Sequence, residues 1–275
     1  MKTNLLTAFL ILTLGACGVD TVEQPGGGDG SGGDGDTGDG AGGPDGGAVE
    51  HDNRVTDQLQ LLYKFAGVTG QTTVSDVSQV GEPYDLTIAD PAQVTFDASG
   101  MTFVGPTVAQ NPNPLSKVMT SCMAANTISV EAWVKNAVIE TNGRILSSGL
   151  GTDAHNFALK QQNDYYEMRL RTSDNDVNGT NPYLAASPVG TATQVDQHIV
   201  VTRNTVGVTN FYIDGVKQSP DSVPGNFGNW DLTYGVYVGN ESTLDRPWLG
   251  TVYLLAVYCK ELSQAEISQN YNDGH

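Results

Sequence analysis

The stretch from Gln197 to Gln218 constrains the fold of this chain more than any other part of it. It holds two runs rich in β-branched and aromatic residues, 198–203 and 208–213, joined by a short loop that ends in glycine. Such runs predict adjacent antiparallel strands. Asp214-Gly215 follows, and this dipeptide favours a type I′ turn, which reverses the chain directly into a third antiparallel strand. The apolar face of such a three-stranded meander needs a second sheet to cover it.

The first 17 residues have the features of an export signal. Lys2 supplies a positive charge, and Leu5–Leu14 is an apolar run too short to span a bilayer as a mature helix. The sequence Leu14-Gly15-Ala16-Cys17 resembles the bacterial lipobox, which implies cleavage before Cys17 and attachment of lipid to it. The alternative is an ordinary secretory signal with the same cleavage site and a free cysteine. Because Gly18 replaces the aspartate linked with inner-membrane retention, the resemblance implies a cell-envelope lipoprotein of the outer membrane, on its periplasmic face or its surface.

Residues 18–52 form a predicted tether. Glycine and aspartate dominate this segment and no aromatic residue occurs in it. It therefore cannot bury enough apolar surface to offset the entropy of ordering, and a glycine-rich chain behaves as a flexible coil. One folded domain is expected to occupy residues 53–275.

The net charge argues against one class of partner. The formal net charge is −18, with eight acids and one base in residues 1–50 and 23 acids and 12 bases in the remainder. Nucleic-acid binding needs a basic patch or stripe, so no nucleic-acid partner is expected. An acid excess is compatible with divalent-cation binding and also with a role in solubility alone.

Short strands separated by turn residues are predicted throughout the domain, and the only predicted helix begins at Ser263 with a capping box to Glu266. This pattern is typical of a sandwich of two sheets. Besides the meander, the predicted strands are Leu59–Phe65, Asp85–Ile88, Met101–Val104, Asn126–Val134, Arg144–Ser147, Asn156–Lys160, Tyr165–Arg171, Tyr234–Val238 and Gly250–Tyr258.

Five separated motifs resemble laminin G-like (LamG) domains of the concanavalin A-like lectin/glucanase superfamily. They are Leu61–Phe65 in an opening strand, Thr127–Trp133 in a central strand, Phe211–Val216 in a hairpin, Arg246–Trp248 with Gly250 and the run to Val257 in a penultimate strand, and Leu262–Ile267 in a closing helix. The resemblance implies an all-β, concanavalin A-like jelly-roll sandwich of two antiparallel sheets with a short C-terminal helix. It also implies a superfamily of binding modules with a minority of glycosidases.

Asp174, Asp176 and Asn178 are candidate metal ligands. They alternate along one short loop that ends in Gly179, and Ca²⁺ needs such converging carboxylate and amide oxygens. The twelfth position of an EF-hand loop would need Glu, but Ala185 occupies it. Two interpretations stay open. The loop is either a Ca²⁺ site completed by backbone carbonyls or a hairpin loop rich in turn-forming residues.

Trp230 and Trp248, with Asp231, Asn240 and Asp245, are candidate ligand-binding residues. Aromatic rings beside polar side chains are typical of sugar sites, because the C–H faces of a pyranose stack on rings. The competing interpretation places both indoles in the core between the sheets.

Cys122 and Cys259 are candidate partners in a disulfide. An exported protein meets an oxidising environment, which favours a bridge. On the chain-entropy model, closing a loop of more than 100 residues stabilises the fold by about 4–5 kcal/mol. Two buried free thiols are the alternative.

No catalytic signature occurs in the sequence. The Glu-x-Asp-x-x-Glu pattern of retaining glycosidases on this fold is absent, and the four histidines are scattered. The chain is therefore predicted to be a non-enzymatic module that binds carbohydrate or a cell-surface protein, assisted by Ca²⁺ if the loop binds it, and held on the membrane by its N-terminal lipid. The alternatives are a glycoside hydrolase of the same fold and a structural envelope protein without a soluble ligand.

Overall fold

The structure, a computed structural model, describes residues 53–139 and 141–275. The predicted signal peptide (1–17), the lipidation site Cys17 and the tether (18–52) lie outside the described residues and stay predictions. The strands are β1 Leu59–Lys64, β2 Thr73–Val74, β3 Leu86–Ile88, β4 Val94–Phe96, β5 Met101–Phe103, β6 Ala109–Asn111, β7 Ile128–Asn136, β8 Asn142–Leu150, β9 Ala154–Gln162, β10 Tyr165–Leu170, β11 Ala185–Ala186, β12 Asp196–Arg203, β13 Val208–Ile213, β14 Val216–Ser222, β15 Val236–Val238 and β16 Gly250–Tyr258. A 3-10 turn spans Pro91–Gln93, and the helices are α1 Ser116–Ala125 and α2 Gln264–Asp273.

The strands form two antiparallel sheets. Sheet A has the order β14-β13-β12-β7-β16-β5-β4, and β1 also pairs with β16. Sheet B has the order β11-β10-β9-β8-β15-β6-β3-β2. This architecture, with α2 at the C-terminal end, confirms the predicted all-β sandwich.

The two sheets meet in one apolar core. Strand β7 contributes every second residue to it, while Phe157 and Leu159 come from β9 of the other sheet. Because successive side chains of a strand point to opposite faces, the intervening residues lie on the outer faces of the sandwich. The buried residues from β7 are Ile128, Val130, Ala132 and Val134.

The predicted meander is confirmed. Strands β12, β13 and β14 are neighbours in sheet A. Asp214 and Gly215 have φ values of 52° and 74°, so both central residues of the turn have the positive φ that a type I′ turn requires. The local turn chemistry therefore determined this part of the topology.

Helix α2 covers the outer face of sheet A. Its predicted capping box is present, since Ser263 and Glu266 exchange side chain to backbone hydrogen bonds. Ile267 is fully buried in a second apolar cluster with Leu254 and Tyr258 of β16. This outer face is thus occupied by the chain itself.

Helix α1 corrects the prediction of a single helix. Leu115 precedes it and makes no side-chain cap, while Asn126 ends it in the left-handed conformation with φ 53°. Val118, Met119 and Cys122 are buried against the core. Packing of this face stabilises a helix that has no N-terminal capping signal.

A disulfide joins Cys122 of α1 to Cys259 just after β16. The Cα atoms are 4.5 Å apart and the two residues are separated by 137 positions. Both cysteines are buried. The bridge ties α1 to the end of a central strand of sheet A.

Candidate functional site

The outer face of sheet B carries a dense group of charged side chains. Arg144 on β8, Lys160 on β9 and Glu167 on β10 are direct cross-strand partners, so they form one row over three strands. Their sequence neighbours Leu159 and Met168 lie in the core, which places this row on the opposite face. We define the charged face of sheet B as Arg144, His155, Lys160, Glu167, Arg169 and Glu241.

Half of the charged face is well paired. The Lys160 ammonium lies 2.9 Å from Glu167 Oε2 and donates to Gln162 Oε1 at 2.7 Å. The Tyr165 hydroxyl donates to Glu167 Oε1 at 3.2 Å. Lys160 is only 2% exposed, so these partners offset the cost of burying its charge.

The other half contains polar atoms that lack hydrogen bonds. Glu241 is 1% exposed, and no described residue donates a hydrogen bond to either of its carboxylate oxygens. Its ion-pair partners are Arg144 Nη2 at 3.6 Å and His155 Nε2 at 3.4 Å. The Nε atoms of Arg144 and Arg169 and the Oγ of Ser147 are also buried without partners. Leaving such a group without a partner costs about 1–3 kcal/mol, so these atoms make the charged face a candidate binding site.

Asn178 determines how the His155 ring is oriented. Its Oδ1 accepts a hydrogen bond from Arg169 Nη1 at 2.6 Å and lies 3.0 Å from His155 Nδ1. An arginine can only donate, so this atom is the amide oxygen and His155 Nδ1 carries a hydrogen. In the neutral ring, Nε2 then presents a lone pair to the Glu241 carboxylate. A hydroxyl or a proton between these two acceptors would satisfy both.

Burial shifts the titration of the basic groups of the charged face. It lowers the pKa of Arg144 to about 10, with the charge of Arg169 adding to the effect. Burial also lowers the pKa of Lys160 to about 8, against the opposing influence of Glu167. The pKa of His155 is lowered by burial and by the neighbouring arginines, although Glu241 opposes the shift. With three basic side chains and two carboxylates, the face is positive in a chain whose net charge is −18.

The predicted sugar platform on Trp230 and Trp248 is corrected by the structure. Trp230 is 4% exposed, stacks on Phe227 at 4.4 Å between ring centroids, and donates through Nε1 to the Arg171 carbonyl. Trp248 is 1% exposed, and its Nε1 lies 3.0 Å from Asn136 Oδ1. Both indoles lie in the core and leave no ring face for a sugar.

The polar residues predicted beside them shape turns. Asn240 is buried, and its Oδ1 accepts from the backbone N–H groups of Glu241 and Arg246, both at 3.0 Å. Asp231 accepts from the backbone and hydroxyl of Thr233. Asp245 is exposed and accepts from the Thr243 hydroxyl. These three side chains do not converge with the indoles on a common surface, although Asn240 positions the loop that carries Glu241.

The three predicted calcium ligands have different partners in the structure. Asp176 accepts from the Thr180 backbone at 2.8 Å, and exposed Asp174 accepts from the Ser173 hydroxyl. Asn178 belongs to the charged face, and its oxygen would have to leave an arginine to bind a cation. Among the residues that the structure describes, no group of three or more His, Cys, Asp or Glu side chains could hold a metal. Calcium binding at this loop stays a prediction.

The charged face was missed by the sequence analysis, although one signal for it was present. In β9 the polar residues His155, Lys160 and Gln162 interrupt the apolar pattern, as is typical of a strand with one solvated face. What the sequence does not show is that His155 and Lys160 are buried and that Glu241, from a loop 81 residues after Lys160, joins them. Within residues 53–139 and 141–275, no helix is long and apolar enough to cross a membrane.

Solved structures share this fold at low sequence identity. Trypanosoma rangeli sialidase in complex with sialic acid matches with a TM-score of 0.55 and 17% identity, over 78% of this chain and 32% of that chain. The receptor-binding domain of botulinum neurotoxin C/D mosaic serotype matches with a TM-score of 0.56 and 16% identity, over 80% and 52%. The ligand-binding domain of botulinum neurotoxin serotype D in complex with N-acetylneuraminic acid matches with a TM-score of 0.52 and 16% identity, over 80% of this chain and 52% of that chain. The chain thus spans about a third to a half of these proteins, and the likeness shows the fold alone.

No curated protein matches the chain. A family model does, and it describes the concanavalin A-like lectin/glucanases superfamily under the name Laminin_G_3. The match covers residues 112–268, which is more than half of the chain and includes the strands that carry the charged face. The chain therefore belongs to the concanavalin A-like lectin/glucanase superfamily.

Proposed function

We propose that this domain is a non-catalytic module that binds a carboxylate-bearing carbohydrate on the charged face of sheet B. The observation that carries the proposal is the set of buried, unpartnered polar atoms around Arg144, Arg169 and Glu241. A protein retains such groups at a cost in stability, and a ligand that pairs with them recovers it. The outer face of sheet A is covered by α2, whereas Arg169 and Tyr165 on the outer face of sheet B remain partly exposed to a ligand.

The donor set suits a sugar with a negative charge. Arg169 is partly exposed and keeps Nε without a partner, and arginine is the side chain best matched to carboxylates. His155 Nε2 and Glu241 supply acceptors for sugar hydroxyls at the same place. The ring of Tyr165, which is partly exposed beside Glu167, offers an apolar surface for a pyranose.

The similar structures support a carbohydrate ligand. One is a sialidase in complex with sialic acid and another is a toxin domain in complex with N-acetylneuraminic acid, which is itself a sialic acid, and sialic acids carry a carboxylate. For this chain we propose only the ligand class, which is a carboxylated glycan, and we do not assign sialic acid itself.

Binding without catalysis is part of the proposal. Glycoside hydrolysis uses a pair of carboxyl groups, one of which donates a proton to the leaving group. On the charged face, Glu167 is paired with Lys160, and Glu241 lies between Arg144 and His155. We further propose that lipid at Cys17 and the tether 18–52 present the domain in the cell envelope.

The first prediction concerns Arg169. On a glycan array, the full chain is expected to bind sialylated and uronate-bearing glycans in preference to neutral ones. Arg169→Gln should weaken this binding at least tenfold, because a hydrogen bond to a charged group contributes about 1.5–3 kcal/mol and 1.4 kcal/mol is a factor of ten. Isothermal titration calorimetry with 3′-sialyllactose and with tetragalacturonate measures the loss.

The matched control is Lys135→Gln, which removes the same charge from sheet A, where the Lys135 side chain is 49% exposed. This variant should bind like the wild type. Equal losses in both variants would mean that net charge alone drives binding. Preference for neutral glycans, no glycan binding, or release of cleaved sugar would each contradict the proposal.

The second prediction concerns pH. Because the pKa of Lys160 is about 8, the charged face loses one positive charge as the pH rises from 7 to 9. Affinity for the carboxylated glycan should fall severalfold over this range. Lys160→Met should bind more weakly at pH 7 and show a flat profile. A wild-type affinity that does not change between pH 7 and pH 9 would remove Lys160 from the binding site.

A further inference from the structure

A second group of oxygen atoms converges far from the charged face, around the side chain of Lys117. This residue lies in the first turn of α1, and its ammonium group reaches the loop between β2 and β3. It forms an ion pair with Asp76 Oδ2 and donates to Val80 O at 2.9 Å. Ser78 Oγ at 3.3 Å and Glu82 O at 3.5 Å complete the surroundings.

The spacing of these four oxygens is that of a cation-binding loop. They come from alternate residues, 76, 78, 80 and 82, and comprise a carboxylate, a hydroxyl and two backbone carbonyls. Hard cations such as Ca²⁺ select such ligands, and calcium loops also supply them from alternate positions. An ammonium group has three N–H donors, so four oxygens exceed what Lys117 can satisfy at once.

The Asp76 carboxylate is held in place by backbone contacts that do not involve Lys117. The Asp76 carboxylate accepts from the backbone N–H groups of Leu62 at 3.3 Å, Ser78 at 3.0 Å and Tyr84 at 3.1 Å. The backbone N–H of Asp76 donates to Asp85 Oδ1 at 2.9 Å. Burial would raise the pKa of Asp76, but hydrogen bonds from Lys117 and Ser78 outweigh it and lower the pKa. These contacts therefore keep the Asp76 carboxylate ionised and favour a positively charged partner.

We propose that residues 76–82 form a cation-binding loop whose cation is the ammonium group of Lys117, and that shortening this side chain opens the loop to Ca²⁺. The wild-type domain thus carries its own cation at this position and needs no metal ion to order the loop. The inference is independent of the ligand proposed for sheet B.

The third prediction tests this directly. In EDTA, Lys117→Ala is expected to lower the Tm of the full chain by about 5 °C, because a part-buried ion pair and its accompanying hydrogen bonds are lost. Addition of 5 mM CaCl₂ should recover at least half of this fall, because a ligand that binds only the folded state stabilises it. Calorimetry with CaCl₂ should show one site in Lys117→Ala that is absent from the wild type.

Three further variants keep the test decisive. Lys260→Ala also loses ion pairs, with Asp57 and Glu266, but these do not belong to a loop of converging oxygens, so CaCl₂ should change its Tm no more than it changes that of the wild type. Adding Asp76→Asn to Lys117→Ala should abolish the calcium effect. If Lys117→Ala does not fold in EDTA, Lys117→Met keeps the alkyl stem and is measured instead. No rise with CaCl₂ in either folded Lys117 variant, or an equal rise in the wild type, would overturn the proposal.

Discussion

Replacing Glu131 by glutamine is expected to lower the free energy of unfolding by about 3–5 kcal/mol, the usual cost of breaking a buried ion pair. Glu131 lies on the outer face of β7 beneath α2 and is fully buried. Its Oε1 accepts from Arg54 and lies 2.8 Å from His198 Nε2. Its Oε2 accepts from Tyr258 at 3.2 Å and from Asn270 at 2.8 Å.

The effect should be large because this carboxylate connects distant parts of the chain. Arg54 belongs to the segment before β1, His198 to β12 and Asn270 to α2. Burial would raise the pKa of Glu131, but the hydrogen bond from His198 and the charge of Arg54 outweigh it and lower the pKa. Glutamine would replace the negative charge beside the buried Arg54 guanidinium, which also pairs with Asp273 Oδ2 at 3.8 Å, by a neutral amide, and would point an amide N–H at one of the existing donors.

Urea denaturation followed by tryptophan fluorescence measures the change. The matched control is Lys135→Gln, on the same strand, where the Lys135–Asp196 pair is 3.7 Å apart and both side chains are about half exposed. That pair should contribute less than about 1 kcal/mol. If Glu131→Gln costs no more than Lys135→Gln, the network under α2 does not stabilise the fold as argued.

Removal of the disulfide is expected to have an effect of similar size. The double variant Cys122→Ala/Cys259→Ala should lose about 2–5 kcal/mol, since the bridge closes a loop of 137 residues in the unfolded chain. Alanine is chosen because both cysteines are buried and a serine hydroxyl would need a new partner. The midpoint of urea denaturation measures the loss.

Two comparisons test whether the loss of stability comes from the missing bridge. The wild type denatured in dithiothreitol should have the same midpoint as the double variant without reductant, because both lack the bridge. The oxidised wild type should contain no free thiol from this pair when labelled after unfolding. Equal midpoints of the double variant and the oxidised wild type would show that the bridge adds no stability.

Short-range patterns were enough to predict the fold. Runs of β-branched and aromatic residues located the strands of the meander, and Asp214-Gly215 and the Ser263–Glu266 box predicted a turn and a helix start that the structure contains. These signals depend on backbone conformations within a few residues, which local sequence controls. Helix α1 escaped prediction because it lacks such a cap and is stabilised by the core against which Val118 and Met119 pack.

The candidate sites depended on contacts that no local pattern encodes. A tryptophan beside polar turn residues has the same sequence pattern whether its ring faces solvent or the core, and the structure buries both Trp230 and Trp248. Glu241 forms an ion pair with Arg144, which lies 97 positions earlier in the sequence, and Lys117 forms one with Asp76, which lies 41 positions earlier. The sequence by itself thus determined the class of fold, the meander of β12, β13 and β14, and the superfamily. Only the tertiary structure decided which charges share a face, because strand order and register bring together residues that are remote along the chain.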